Sequence, residues 1–99
     1  MGNKRKICIM GMGYIGLPTA ALLANRGYQV YGVDVNQNVI DTINCARIHI
    51  VEPDLDEFVY SAVKSGSLVV NIEPAEADIF IIAVPTPFHA DKYNEITNS

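Results

Sequence analysis

The chain has 99 residues, 49% of them hydrophobic and 18% charged, with a formal net charge of −4. That is the composition of one small globular domain with a modest core, not of a disordered segment. The acidic balance argues against a nucleic-acid surface, because no basic stripe is present to neutralise phosphates.

The single basic cluster, Lys4, Arg5 and Lys6, reads as a solubilising start to an inner strand. Together with the uncharged run from Ile7 to Ala24 it has the outline of a signal peptide or short membrane span. Gly11, Gly13, Gly16 and Pro18 interrupt that run, and a plain signal sequence has no reason to place an acid after a second strand. Neither a leader nor a membrane segment is expected. Met1-Gly2 also lacks the hydroxyl residue a myristoylation signal needs at position six, which is Lys6.

Residues 6–10, Lys-Ile-Cys-Ile-Met, predict a strand apolar on both faces. Gly11-Met12-Gly13-Tyr14-Ile15-Gly16 follows at once and opens a helix expected over 14–26. Gly16, Ala20 and Ala24 give that helix a small-residue face, and Pro18 falls near its first turn. Gly27 suits a left-handed stop. A second strand over 29–34 ends in Asp34, eighteen residues beyond Gly16. Strand, glycine turn, helix, strand and terminal acid form the context in which G-x-G-x-x-G means a dinucleotide site. Gly11 permits the tight turn, Gly13 lets the backbone approach a pyrophosphate, and Gly16 lets helix and strand pack closely. The N–H groups of Tyr14 and Ile15 belong to the helix start that offers positive charge to phosphate. Asp34 is placed to accept hydrogen bonds from a ribose diol.

Asn36 is expected to cap a helix over 37–47, with Val39, Ile40 and Ile43 at helical spacing. Residues 48–54 read as a loop. Its His49, a lone imidazole between isoleucines, reads as a structural histidine. Glu52 and Asp54 could pair as acids, but Asp54 has the spacing of an N-cap, with Glu57 completing a capping box for a helix over 54–65. Phe58, Val59, Ala62 and Val63 are its expected buried stripe, Tyr31 and Tyr60 read as packing, and Lys64 as a solvated helix-end charge. Residues 68–71 predict a short third strand. Residues 79–84, Ile-Phe-Ile-Ile-Ala-Val, predict a second fully buried strand, closed by Pro85-Thr86-Pro87.

The fold class is therefore α/β: the N-terminal half of a Rossmann-type doubly wound parallel sheet plus a fourth strand. In the strand order 3-2-1-4, the first and fourth strands flank the crevice, so Tyr14 and Thr86 face each other across its mouth, and Thr86 becomes a candidate cofactor contact. The polar stretch from His89 to Ser99 predicts no clear helix. Cys8 reads as a small buried hydrophobe and Cys45 as a helix-end residue. Two thiols without C-x-x-C spacing suit a reducing cytoplasm.

The run Gly11-Met12-Gly13-Tyr14-Ile15-Gly16-Leu17-Pro18 resembles the opening of the nucleotide-sugar 6-dehydrogenases, such as the UDP-glucose dehydrogenases. Ile48-His49-Ile50-Val51-Glu52-Pro53-Asp54-Leu55 and Ala83-Val84-Pro85-Thr86-Pro87-Phe88 resemble more specifically the UDP-N-acetyl-D-mannosamine 6-dehydrogenases. The resemblance covers about residues 6–90. It implies an NAD-dependent, two-step oxidation of a UDP-sugar C6 alcohol to the carboxylate, through a thiohemiacetal and a thioester on a catalytic cysteine assisted by lysine and carboxylate groups. It further implies a cytoplasmic enzyme of polysaccharide biosynthesis, homo-oligomeric at full length. Members are several times longer, and neither Cys8 nor Cys45 matches the catalytic position. The expectation is that residues 1–99 form a partial NAD-binding domain without the catalytic and nucleotide-sugar domains, inactive alone. The matching positions are Gly11, Gly13, Tyr14, Ile15 and Gly16 at the phosphates, Asp34 at the ribose, and Thr86 after the fourth strand. Two alternatives stand beside this: a free-standing nucleotide-binding module without chemistry, and another Rossmann dehydrogenase acting on a hydroxy acid.

Overall fold

The computed structural model describes residues 4–83. Four parallel strands, β1 (Lys6–Met10), β2 (Gln29–Val33), β3 (Leu68–Asn71) and β4 (Ile79–Ile82), form one sheet in the order β3-β2-β1-β4. This is the expected order, and it places the carboxyl ends of β1 and β2 side by side. Helix α1 (Gly16–Asn25) connects β1 to β2, while α2 (Gln37–Asn44) and α3 (Leu55–Lys64) lie between β2 and β3 in the chain.

Period two along the strands decides which side chains meet the helices. Ile7 is level with Val30 and Ile9 with Gly32, and these are in turn level with Leu68 and Val70. Ile7, Ile9, Val30, Leu68 and Val70 are all buried in one cluster with Leu17, Ala20 and Ala24 of α1 and Val59 and Ala62 of α3. Full burial of a side chain such as Leu17 or Ile43 contributes about 1.5–3 kcal/mol, so a domain of this size depends on nearly every one. Cys8 is buried within β1 as expected, and Cys45 is exposed at the end of α2; both thiols are free.

The helix ends follow local chemistry, with two exceptions. Asn36 caps α2 as expected, its side chain accepting from the N–H groups of Asn38 (2.9 Å) and Val39 (3.3 Å). Gly27 ends α1 in the left-handed region at φ 102°. Helix α2, expected to reach residue 47, stops at Asn44 because Ala46 turns left-handed at φ 64°. The capping box at α3 is not formed. Asp54 is itself left-handed at φ 64° and makes no side-chain cap bond, since a cap needs extended backbone to aim its oxygen at the first-turn N–H groups. The buried stripe of α3 is Leu55, Val59 and Ala62, with Val63 packed against it, whereas Phe58 stands 48% exposed. Its carbonyl instead accepts the Asn25 amide at 2.9 Å, tying α3 to α1.

The two sheet edges are treated differently. Along β3, the Asn44 side chain accepts from the Val70 N–H (3.1 Å) and donates to the Val70 carbonyl (2.8 Å), which occupies backbone groups that would otherwise pair with another strand. At the other edge, Asp78 exchanges two bonds with the Lys6 backbone, which starts β4 level with β1. The expectation that β4 is fully buried is not met over its described length: Phe80 is 56% and Ile82 76% exposed. Among the described residues the strand pairs with β1 alone, and no described helix follows it to cover either face. Among the described residues, no helix is long and apolar enough to cross a membrane.

Candidate functional site

The end of β1 runs straight into Gly11, whose φ of 102° is open to glycine and strained for any other residue. Its N–H donates to the Val33 carbonyl at 2.7 Å, so the turn begins while still stitched to β2. The chain then passes through Met12 and Gly13 into α1. Met12 is fully buried and lies over Gly32, where an added Cβ would come within 2.5 Å of the Met12 sulfur. The space over Gly32 is thus filled by the Met12 side chain, which packs the turn onto the sheet.

Gly16 and Gly13 serve opposite purposes. A Cβ at Gly16 would overlap the Gly11 carbonyl and come 3.4 Å from the Ala83 Cβ, so the first turn of α1 rests directly on the backbone it has just left. Among the described residues, a Cβ at Gly13 would meet nothing within 4 Å. Gly13 is therefore not demanded by packing against any described residue. Among the described residues no acceptor takes the N–H of Gly13, Tyr14 or Ile15, and the side chains of Tyr14 and Ile15 are each 70% exposed. Adjacent unpaired N–H donors at a helix start suit an anion, and a pyrophosphate in particular.

Asp34, one residue past β2, holds the turn in place. Its Oδ2 accepts from the Met12 N–H at 3.0 Å and its Oδ1 from the Asn36 N–H at 2.9 Å. One carboxylate thereby links the glycine turn to the cap of α2. A carboxylate has about four lone-pair sites, so each oxygen keeps capacity for a ligand hydroxyl. A cavity of about 370 Å³ opens beside these groups, walled by Met12, Gly13, Asp34, Val35, Val39 and His49 among others. Phosphate donors, an acid with spare acceptor capacity and an apolar slot are the three parts an adenosine diphosphate needs, so the residues present fit a dinucleotide.

Of the positions expected from the sequence, Gly11, Gly13, Gly16 and Asp34 come together at this site, while Tyr14 and Ile15 follow Gly13 at the exposed start of α1, outside the cavity lining. Thr86 lies outside the described residues, as does its facing of Tyr14. Three features went unread. Gly32 had a signal, since an isolated glycine in a strand pattern marks a close approach. The bonds from Asp34 to Met12 and Asn36 had none. His49, expected as a structural residue, is exposed and lines the cavity. Its flanking isoleucines explain this, because Ile50 is buried and Ile48 packs on the same core, which turns the residue between them away. Among the described residues no group of three or more His, Cys, Asp or Glu is arranged to hold a metal ion.

Residues 5–98 match the family model described as the UDP-glucose/GDP-mannose dehydrogenase family, NAD binding domain. The chain is 58% identical, over 94% of its length, to an NDP-N-acetyl-D-galactosaminuronic acid dehydrogenase from Ralstonia solanacearum, and 55% identical over the same share to a UDP-N-acetyl-D-mannosamine dehydrogenase from Campylobacter jejuni. It spans only 22% and 23% of those two proteins. In fold it is similar to the solved UDP-N-acetyl-mannosamine dehydrogenase of Staphylococcus aureus, with a TM-score of 0.80 and 48% identity over 83% of this chain and 20% of that one.

Proposed function

The chain belongs to the UDP-glucose/GDP-mannose dehydrogenase family through its NAD-binding domain, and from that premise we propose that it holds the cofactor for the oxidation of UDP-N-acetyl-D-mannosamine at C6. The observation that carries the reading is Gly13, whose Cβ position meets no described residue, beside N–H donors that no described residue accepts and close to the Asp34 carboxylate. NAD is the cofactor of this domain, and when bound it supplies the hydride acceptor. The chain's own residues bind and orient. The N–H groups from Gly13 to Ile15 hold the pyrophosphate, Gly11 and Gly16 shape the turn, Asp34 accepts the ribose hydroxyls, and Thr86, on the sequence pattern alone, contacts the cofactor.

The chain spans about a fifth of the length of the curated relatives it matches. In this proposal residues 1–99 are a partial NAD-binding domain, and the catalytic cysteine, the lysine and the sugar-binding residues come from another part of the protein. That whole protein is proposed to be a cytoplasmic homo-oligomer. A second reading of the sugar, an N-acetyl-galactosamine derivative, is favoured by the name of the 58% identical relative. The assay that separates the two gives the whole protein NAD with each UDP-N-acetylhexosamine in turn. The manno sugar should yield two NADH per carboxylate formed, and turnover confined to the galacto sugar would overturn the choice.

Two results are expected of the 99-residue chain itself. It should bind NAD more tightly than NADP, because Asp34 repels a 2′-phosphate and Val35, Asn36 and Gln37 supply no arginine to offset it. Calorimetry giving NADP the tighter binding would remove Asp34 from the ribose. It should also reduce no NAD with any UDP-hexosamine, since Cys8 is buried within β1 and Cys45 lies at the end of α2, away from the cavity. Turnover that survives conversion of both cysteines to serine would refute the assignment of catalysis to another part of the protein.

A further inference from the structure

Resting on the cofactor reading above, we infer that His49 contacts the adenine ring and helps select an adenosine at this end of the site. Its place in the fold is over-determined. Ile48 and Ile50 anchor the loop after α2 to the core, and the alternation between them directs the imidazole into the cavity beside the glycine turn. A histidine kept for packing would be buried, whereas this one is exposed on the wall that also carries Asp34.

The chemistry of that wall is selective. Met12, Val35 and Val39 make it apolar, which suits a flat base and offers no hydrogen bond to one. His49 is the only aromatic ring among the described residues of the lining, and it combines a stacking face with ring nitrogens that can donate or accept. A ribose whose hydroxyls bond Asp34 must carry its base close to the same carboxylate, because the diol and the glycosidic carbon belong to one five-membered ring. The apolar slot between Asp34 and His49 is where such a base would lie.

The test uses the 99-residue chain with AMP, ribose 5-phosphate and NAD as probes. His49→Ala should lower the affinity for AMP and NAD by about tenfold, the scale of one base–aromatic stack, leave ribose 5-phosphate binding unchanged, and melt as the unchanged chain does. In the NMR spectrum of the unchanged chain, AMP should shift the His49 ring resonances and ribose 5-phosphate should not. The chain's other histidine is His89, so the peaks missing from His49→Ala identify the ring. Equal losses for AMP and ribose 5-phosphate would place the effect in the phosphate turn and overturn the inference. Unchanged AMP affinity in His49→Ala, in a protein whose Gly13→Val form has lost NAD, would overturn it while leaving the cofactor reading intact. If both variants bound NAD as the unchanged chain does, the cofactor reading itself would fail.

Discussion

A Gly13→Val chain should lose NAD binding while folding and melting as the unchanged protein does. The two halves of that expectation have separate physical grounds. No described residue lies within 4 Å of a Cβ at Gly13, so a first added carbon strains no packing among them. The same space is where a pyrophosphate must come to reach the N–H groups of Gly13, Tyr14 and Ile15. A valine fills it and holds the phosphates off. Hydrogen bonds to a charged group contribute about 1.5–3 kcal/mol each, so losing two of them weakens binding by about a hundredfold or more. The measurement is an NAD titration paired with a thermal melt. Wild-type affinity in the variant would mean that the glycine pattern does not hold a cofactor, and the dehydrogenase reading would fall with it.

Gly16→Val should do the reverse and strike the fold first. A Cβ at that position overlaps the Gly11 carbonyl, which is backbone and cannot rotate away. The first turn of α1 would have to lift from the end of β1, disturbing Leu17 and Ala20 beneath it, both fully buried. Overpacking of this kind costs about 1–3 kcal/mol and occasionally more. In a domain of about 100 residues each kcal/mol moves the melting temperature by about 4–8 °C, so a drop of about 4–24 °C is expected. An unchanged melt would show that α1 does not rest on the turn. Compared in one experiment, the two glycines separate binding from stability: Gly13→Val loses affinity at constant melting temperature, and Gly16→Val loses melting temperature.

Most of the candidate site was legible before any tertiary information. Gly11, Gly13, Gly16 and Asp34 announced themselves through spacing, because a turn that admits phosphate tolerates few residues other than glycine. The helix ends were less legible. Asn36 caps as its residue type suggests, but Asp54, of equally good type, does not. A cap depends on the backbone angle as well as the side chain, and Asp54 stands in the left-handed region. The early end of α2 at Asn44 has the same origin, since Ala46 adopts an angle that its residue type does not advertise.

The strands at 6–10 and 68–71, the parallel α/β class and the glycine turn were legible in the residues themselves. These depend on apolar periodicity and on bonds between near neighbours, and both are written locally. Which side chains share a wall depends on packing between distant segments. The bond from Met12 to Asp34 spans 22 residues, and Gly32 meets Met12 only because β1 and β2 lie level in the sheet. Phe80 and Ile82 look like core in sequence, yet they are exposed at an edge, because burial is set by neighbours rather than by hydropathy. His49 reads as a structural histidine in the sequence, yet it reaches the cavity because the isoleucines on either side claim the core instead.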